Sequence, residues 1–429
     1  MKIVLTTLLV SFLWLGLPAG EAADVNAKPG PGATAPAPTG SDLLYDLDYL
    51  ATFLPEQGTV DMTLTLRQSR RLLRHVRFDF DPDRYRDFSG DGEIVFDGNE
   101  VSWSPPAQGG VLTWSVVLNH RRKSGAFDSL MEGEWAVFRG DDLMPPARVT
   151  ARKGASSRAR LQLSGPDNWS FISPYPEDKH DPEWSVVSRP DRKFDRPVGW
   201  MAAGWLGVRR GHIAGVKVAV AGPIGQDVRH MDILAFLRWN LPVLVGIFPG
   251  FPKRLLVVSA GDPMWRGGLS GPGSLYLHAD RPLISGNGTS TLLHELVHVA
   301  QGYRAAKNED WIVEAIAEYY TLEIMQRSGT ISNSRSERGF EKLEQWAQQA
   351  DSLEAKNSAG PRTAKGVTVM RDLDTELRLR TGNKRSLDDV ARRLAGDGKP
   401  VSITRLREVS AEMAGVPLDA ISPEKLQAY

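Results

Sequence analysis

The chain has 429 residues, in which 52 Lys and Arg balance 52 Asp and Glu, 41% of residues are hydrophobic and cysteine is absent. That length allows two or three domains with a sizeable core, and the charge balance excludes a global field that would draw nucleic acid. The lack of cysteine excludes disulfides, thiolate metal ligands, a cysteine nucleophile and a lipid-modified cysteine.

Residues 1–22 carry a positive start at Lys2, the apolar stretch IVLTTLLVSFLWLGL and small residues around Gly20-Glu21-Ala22. This is the pattern of a secretory signal peptide, and its apolar core falls short of the ~20 residues that span a bilayer. Export to the periplasm or the outside of a bacterial cell is expected, with no transmembrane span after cleavage. Residues 23–42, rich in Pro, Ala and Gly, read as a flexible linker.

From 43 to 174 the hydrophobic period is two. TVDMTLTLRQ alternates Val60, Met62, Leu64 and Leu66, HVRFDF alternates Val76, Phe78 and Phe80, and EIVFDGNEVSW places a Gly-Asn turn between apolar runs. Short strands at this spacing predict an antiparallel β-sandwich. His75, His120 and His180 fall in or just after this region and read as turn or surface residues. Between 175 and 330 the pattern is mixed. AGVKVAVAG and KRLLVVSAG predict buried strands, RHMDILAFLRWNLPVLVGIF a buried helix interrupted at Pro242, and MWRGGLSGPGSLYLHA a glycine-rich turn followed by a strand. Residues 331–429 continue as amphipathic helices, among them RDLDTELRLRTG and SLDDVARRLAG, each ending at glycine. The predicted fold class is α+β: an antiparallel β-sandwich, a mixed domain of strands and helices and a C-terminal helical region.

Chemistry concentrates in HELVHVAQGYRAAKNEDWIVEAIAEYY, residues 294–320. On a helix, His294 and His298 project from one face about one turn apart, the separation that two ligands of a tetrahedral zinc need. Glu295 lies on the adjoining edge, placed to act on water without being a ligand. This is the HExxH arrangement. A catalytic zinc usually takes three protein ligands, and a third histidine in the HExxHxxGxxH manner would need glycine at 301 and histidine at 304, where the chain has Gln301 and Arg304. A glutamate from a return helix remains, and Glu314 in WIVEAIAEYY is so placed. Glu318, four residues on, shares its face and can accept the second ring proton of a ligand histidine, His294 for preference.

HELVH followed by WIVEAIAEYY resembles the gluzincin zinc metallopeptidases, and among them the sequence is most similar to the glycyl aminopeptidase family, whose members often carry a PDZ domain. LSGPDNW, FDRPVGW, RGGLSG and KGVTVMRDLDTELRLRTGNKRSLDDVARRL share that likeness, so it covers most of residues 43 to 420. The resemblance implies a thermolysin-like domain over 175–330, one zinc per chain on His294, His298 and Glu314, and Glu295 as general base. It also implies peptides or proteins as substrates. No PDZ-sized strand pattern follows the last helices. Two further departures stand out. Ser270 occupies the position after Gly267-Gly268-Leu269 where the family usually has a glutamate that can hold a free amino group. Thr363 stands two residues before Lys365-Gly366, where a tyrosine usually stabilises the oxyanion. Tyr303, Tyr319 and Tyr320 are the remaining phenols near the motif.

The expected function is therefore an exported zinc-dependent metallopeptidase. The alternative is a zinc-containing, catalytically weak or inactive scaffold protein built on a peptidase frame, and a different metal-dependent hydrolase is a third possibility.

Overall fold

The structure, a computed structural model, describes residues 43–188, 192–354, 357–396 and 398–428. The signal peptide and linker expected at 1–22 and 23–42 lie outside the described residues. The period-two segments form strands because their apolar members find a common interior. In Leu44–Leu54, the side chains of Tyr45, Leu47, Tyr49, Ala51 and Phe53 are buried in one cluster. This strand sits inside a six-stranded sheet, and a four-stranded sheet contributes Val76, Phe78, Val101 and Trp103 to the same core. One pairing departs from the antiparallel expectation: Leu44–Leu54 runs parallel to Ser156–Ser164. The two strands come from opposite ends of the region, and local alternation carries no information about which distant strand becomes a neighbour.

A further antiparallel sheet, which includes Trp135–Arg139 and Trp200–Gly204, links this region to a second layer. That layer is a five-stranded sheet in the order Leu206–Ile213, Val216–Pro223, Arg254–Ala260, Ser274–His278, Gly268–Gly271, parallel through its middle. Both faces of Arg254–Ala260 are covered, which explains its unbroken apolar run. Leu256 and Val258 meet Trp135 and Trp200 of the preceding sheet. Leu255 and Val257 meet the helices α1 (His230–Ile247) and α2 (Thr291–Gln301).

Two local expectations differ from the outcome. Helix α1 continues through Pro242 rather than stopping there. Pro242 and Arg238 both lie on the exposed face, so the Arg238 carbonyl that loses its N–H partner turns toward water. RGGLSG forms the edge strand Gly268–Gly271, with its turn displaced to Pro272-Gly273, where Gly273 adopts φ 62°. Beyond α2 the chain is helical: α3 (Asp310–Arg327), α4 (Asn333–Ala347), α5 (Pro361–Thr381), α6 (Leu387–Ala395), α7 (Ile403–Ala414) and α8 (Pro423–Ala428). No helix among the described residues is long and apolar enough to cross a membrane.

Candidate metal centre

Helix α2 begins at Ser290, whose hydroxyl accepts the Leu293 amide, and ends at Gly302 in the left-handed conformation. Its apolar stripe of Leu292, Leu293, Leu296 and Val297 is fully buried under the sheet, which fixes its rotation and turns His294 and His298 toward α3. Helix α3 is clamped from behind: a side chain at Gly366 of α5 would lie 2.7 Å from the Ala315 Cβ. That close approach settles where Glu314 and Glu318 point.

Three donor groups converge where the two helices meet. The Nε2 atoms of His294 and His298 are 3.1 Å apart, Glu314 Oε2 is 3.1 Å from His294 Nε2, and Glu314 Oε1 is 3.4 Å from His298 Nε2. Ligand atoms about 2.0–2.1 Å from a tetrahedral zinc lie about 3.3 Å from one another, so the residues present fit such an ion. No other group of three or more His, Cys, Asp or Glu among the described residues converges in this way. His294 Nδ1 lies 2.9 Å from Glu318 Oε2, a contact that fixes the ring and leaves Nε2 facing the centre.

The electrostatics follow from that crowding. Burial opposes the charged imidazole of His294, but hydrogen bonds to Glu314 and Glu318 outweigh it and hold the group well above the usual histidine range. Burial likewise opposes the Glu314 carboxylate, and the two histidines outweigh it, holding the carboxyl far below the usual range. A cluster of ring nitrogens and carboxylate oxygens this close demands a positive species among them.

These groups open into a cleft of about 460 Å³, which also takes in Gly268, Leu269, Ser270, Glu295, Tyr303, Arg304, Asp310 and Val313 in its lining. Glu295 is 7% exposed and makes no ion pair among the described residues. The edge strand passes directly over it: a Cβ at Gly268 would lie 2.9 Å from Glu295 Cγ and 2.7 Å from Thr291 Cγ2, so only glycine fits. A slightly larger cavity of about 510 Å³, between Leu161 and Arg254, lies away from the centre and contains no converging ligand group.

The structure separates the other residues singled out in the sequence. Tyr319 donates to Asp374 and Tyr320 to Asp388, both away from the cleft. Tyr303 lines the cleft with an enclosed hydroxyl that makes no hydrogen bond among the described residues, and burial pushes its phenol up. Thr363 is in the first turn of α5, 8% exposed and outside the cleft lining, with its hydroxyl 3.1 Å from that of Ser358. The Ser358 amide in turn donates to Asp310, so Thr363 stands one layer behind the wall of the cleft. Sequence reasoning missed Asp310 and the contribution of Arg304 to the wall; the loop placing both is set by its bridge to Val401, which no local signal announces.

The arrangement of sheets and helices is shared with two solved structures. The aminopeptidase N family protein from Idiomarina loihiensis matches over 87% of this chain and 72% of its own, with a TM-score of 0.60 and 15% identity. An M1 zinc metallopeptidase from Deinococcus radiodurans matches over 90% of this chain and 92% of its own, with a TM-score of 0.55 and 16% identity. At such identities the likeness is one of fold. No protein-family model matches the chain, and a search of curated proteins finds no match.

Proposed function

We propose that the protein is an exported zinc-dependent metallopeptidase that binds one zinc through His294, His298 and Glu314. The observation that carries this reading is the 3.1, 3.1 and 3.4 Å triangle of donor atoms, which has the edge lengths of a tetrahedral zinc site. The M1 fold of the neighbours supports it, and the sequence likeness to the glycyl aminopeptidase family supports it further. On this reading the chain is organised as a signal, a linker, a sandwich to about 174, a catalytic domain to about 330 and a helical domain after it.

Zinc held by these residues would supply Lewis acidity, lowering the pKa of water toward about 7 and polarising a carbonyl. Glu295, held beside the triangle and free of ion-pair partners, takes the proton of the attacking water and passes it to the leaving amine. Glu318 keeps His294 in the tautomer that presents Nε2. The edge strand Gly268–Gly271 brings backbone groups next to Glu295, where an extended peptide can pair with them. A second reading, a zinc-holding scaffold without turnover, draws on two observations: the Thr363 hydroxyl is spent on Ser358, and among the described residues the only phenol lining the cleft is Tyr303.

Glu295→Gln decides between them. It preserves all three ligands and cannot take the proton, so it retains zinc and loses on the order of 100-fold or more of the peptide hydrolysis seen in wild type. A wild-type protein that contains zinc but cleaves nothing in a broad peptide library leaves the scaffold reading in place.

A further inference from the structure

The wall of the cleft carries a charge that the proposed chemistry does not use. Arg304 lines it from the loop between α2 and α3, and its guanidinium has no ion pair or hydrogen bond among the described residues. Other exposed arginines, Arg210 and Arg238 among them, also lack a carboxylate partner among the described residues, but Arg304 is the arginine that lines this cleft. The backbone of Arg304 is nevertheless fixed: its carbonyl accepts the Val401 amide at 2.8 Å, the Ala306 amide donates to the Val401 carbonyl at 2.7 Å, and Glu309 accepts the Ile403 amide at 3.1 Å. A free cation on a pinned loop is poised for an anion.

The carboxylates in the rest of the lining are committed elsewhere. The edge strand offers neutral Ser270, so no carboxylate stands there to receive a substrate's free amino group. Glu295 and Glu314 belong to the proposed centre, and Asp310 is turned to the Ser358 amide. A cleft of about 460 Å³ holds a short stretch of peptide. We propose that Arg304 anchors a carboxylate of the peptide, so that substrates are selected by a negative group rather than by a free amino terminus. The carboxylate is either the peptide's own C-terminus or an acidic side chain; both offer the guanidinium the same two oxygens. This inference deepens the peptidase reading and rests on it for the identity of the ligand as a peptide.

The test reads binding, not turnover. In the zinc-loaded Glu295→Gln protein, calorimetry compares a tetra-alanine free acid, its C-terminal amide, and an amide in which one residue is glutamate. The expected result is that the free acid, the glutamate amide or both bind roughly 10 to 100-fold more tightly than the plain amide. Whichever does names the source of the carboxylate. Adding Arg304→Gln abolishes that preference, Arg304→Lys restores part of it, and rising salt weakens it. Zinc content, measured in parallel, is unchanged by either Arg304 variant. A preference that survives Arg304→Gln, equal binding of all three peptides, or no binding of any of them overturns the proposal. A protein without zinc that still distinguishes the peptides through Arg304 overturns the metallopeptidase reading and leaves the anchor standing.

Discussion

Two buried charge clusters in this molecule are built on opposite plans. In the β-rich region Asp142 is 3% exposed and is met only by donors: Ser129, the Arg139 amide and guanidinium, and Arg84. Between α2 and α3, by contrast, two ring nitrogens face each other at 3.1 Å with a carboxylate against both, and the cluster opens into a cleft. The first is a network closed around its carboxylate, in which both Asp142 oxygens have donors although Arg84 Nε and Nη2 make no hydrogen bond among the described residues. The second converges lone pairs on a point and so is completed only by something added. Both carboxylates are held below their ordinary range, so a depressed pKa alone does not separate structure from chemistry; the sign of the neighbours and the opening do.

The largest expected effect breaks the second cluster. His294→Ala removes one of three ligands and the partner of Glu318, so zinc falls from one per chain to near none by elemental analysis, while the β-rich core keeps its resistance to denaturant. Full zinc occupancy in that variant would rule the site out.

Asp142→Asn is the matching break in the first cluster. It leaves Arg84 and Arg139 facing a neutral group and costs about 3 kcal/mol in chemical denaturation, with zinc content unchanged. Burial raises the Asp142 pKa, but Arg139, Ser129 and Arg84 outweigh it and lower it below the ordinary value. A depressed carboxyl contributes stability above its unfolded pKa of about 3.9 and loses it as pH falls through the lower folded value. The difference between wild type and Asn is therefore constant from neutral pH to about 5 and shrinks below about 4. A difference that instead grows in acid would show that the network is not what holds Asp142.

How far sequence alone reaches differs between the two regions as well. Helices α2 and α3 are legible because Leu292, Leu293, Leu296 and Val297 mark one face and the short segment 302–309 leaves few ways to connect them. The spacing therefore says which faces carry His294, His298, Glu314 and Glu318. It cannot say that Gly268 passes over Glu295, since RGGLSG lacks the apolar alternation that marks a strand and is fixed by pairing with Ser274–His278. Nor can it pair Ser129 with Asp142, or set Leu44–Leu54 parallel to Ser156–Ser164, because those neighbours meet only after distant strands assemble. Arg304 escapes notice for a related reason: an arginine in a loop is unremarkable until the structure shows that no carboxylate has claimed it.

A milder change sharpens the comparison by loosening the open cluster without removing a ligand. Glu318→Gln keeps a side chain of the same size beside His294 Nδ1 but replaces a carboxylate acceptor by an amide. Zinc affinity, measured by competition with a chelator, is expected to fall on the order of 10 to 100-fold, with wild-type stability of the β-rich region. An unchanged affinity would mean that the 2.9 Å contact does not orient the ligand.

The smallest effect is expected at Thr363, where the chain departs from the peptidases it resembles. Its hydroxyl is bonded to Ser358, and Ser358 to Asp310, so two residues stand between Thr363 and the space above Glu295. Thr363→Ala removes one hydrogen bond in a buried turn, a loss of about 1 kcal/mol in stability, and shifts turnover by less than a few-fold. A residue that donates to the oxyanion would instead cost on the order of 100 to 1,000-fold. A loss of that size in Thr363→Ala, with zinc retained and the fold intact, would show that the layer behind the cleft reaches the reacting carbonyl through Asp310. The open cluster would then extend from α3 into the first turn of α5, with Ser358 and Thr363 part of it.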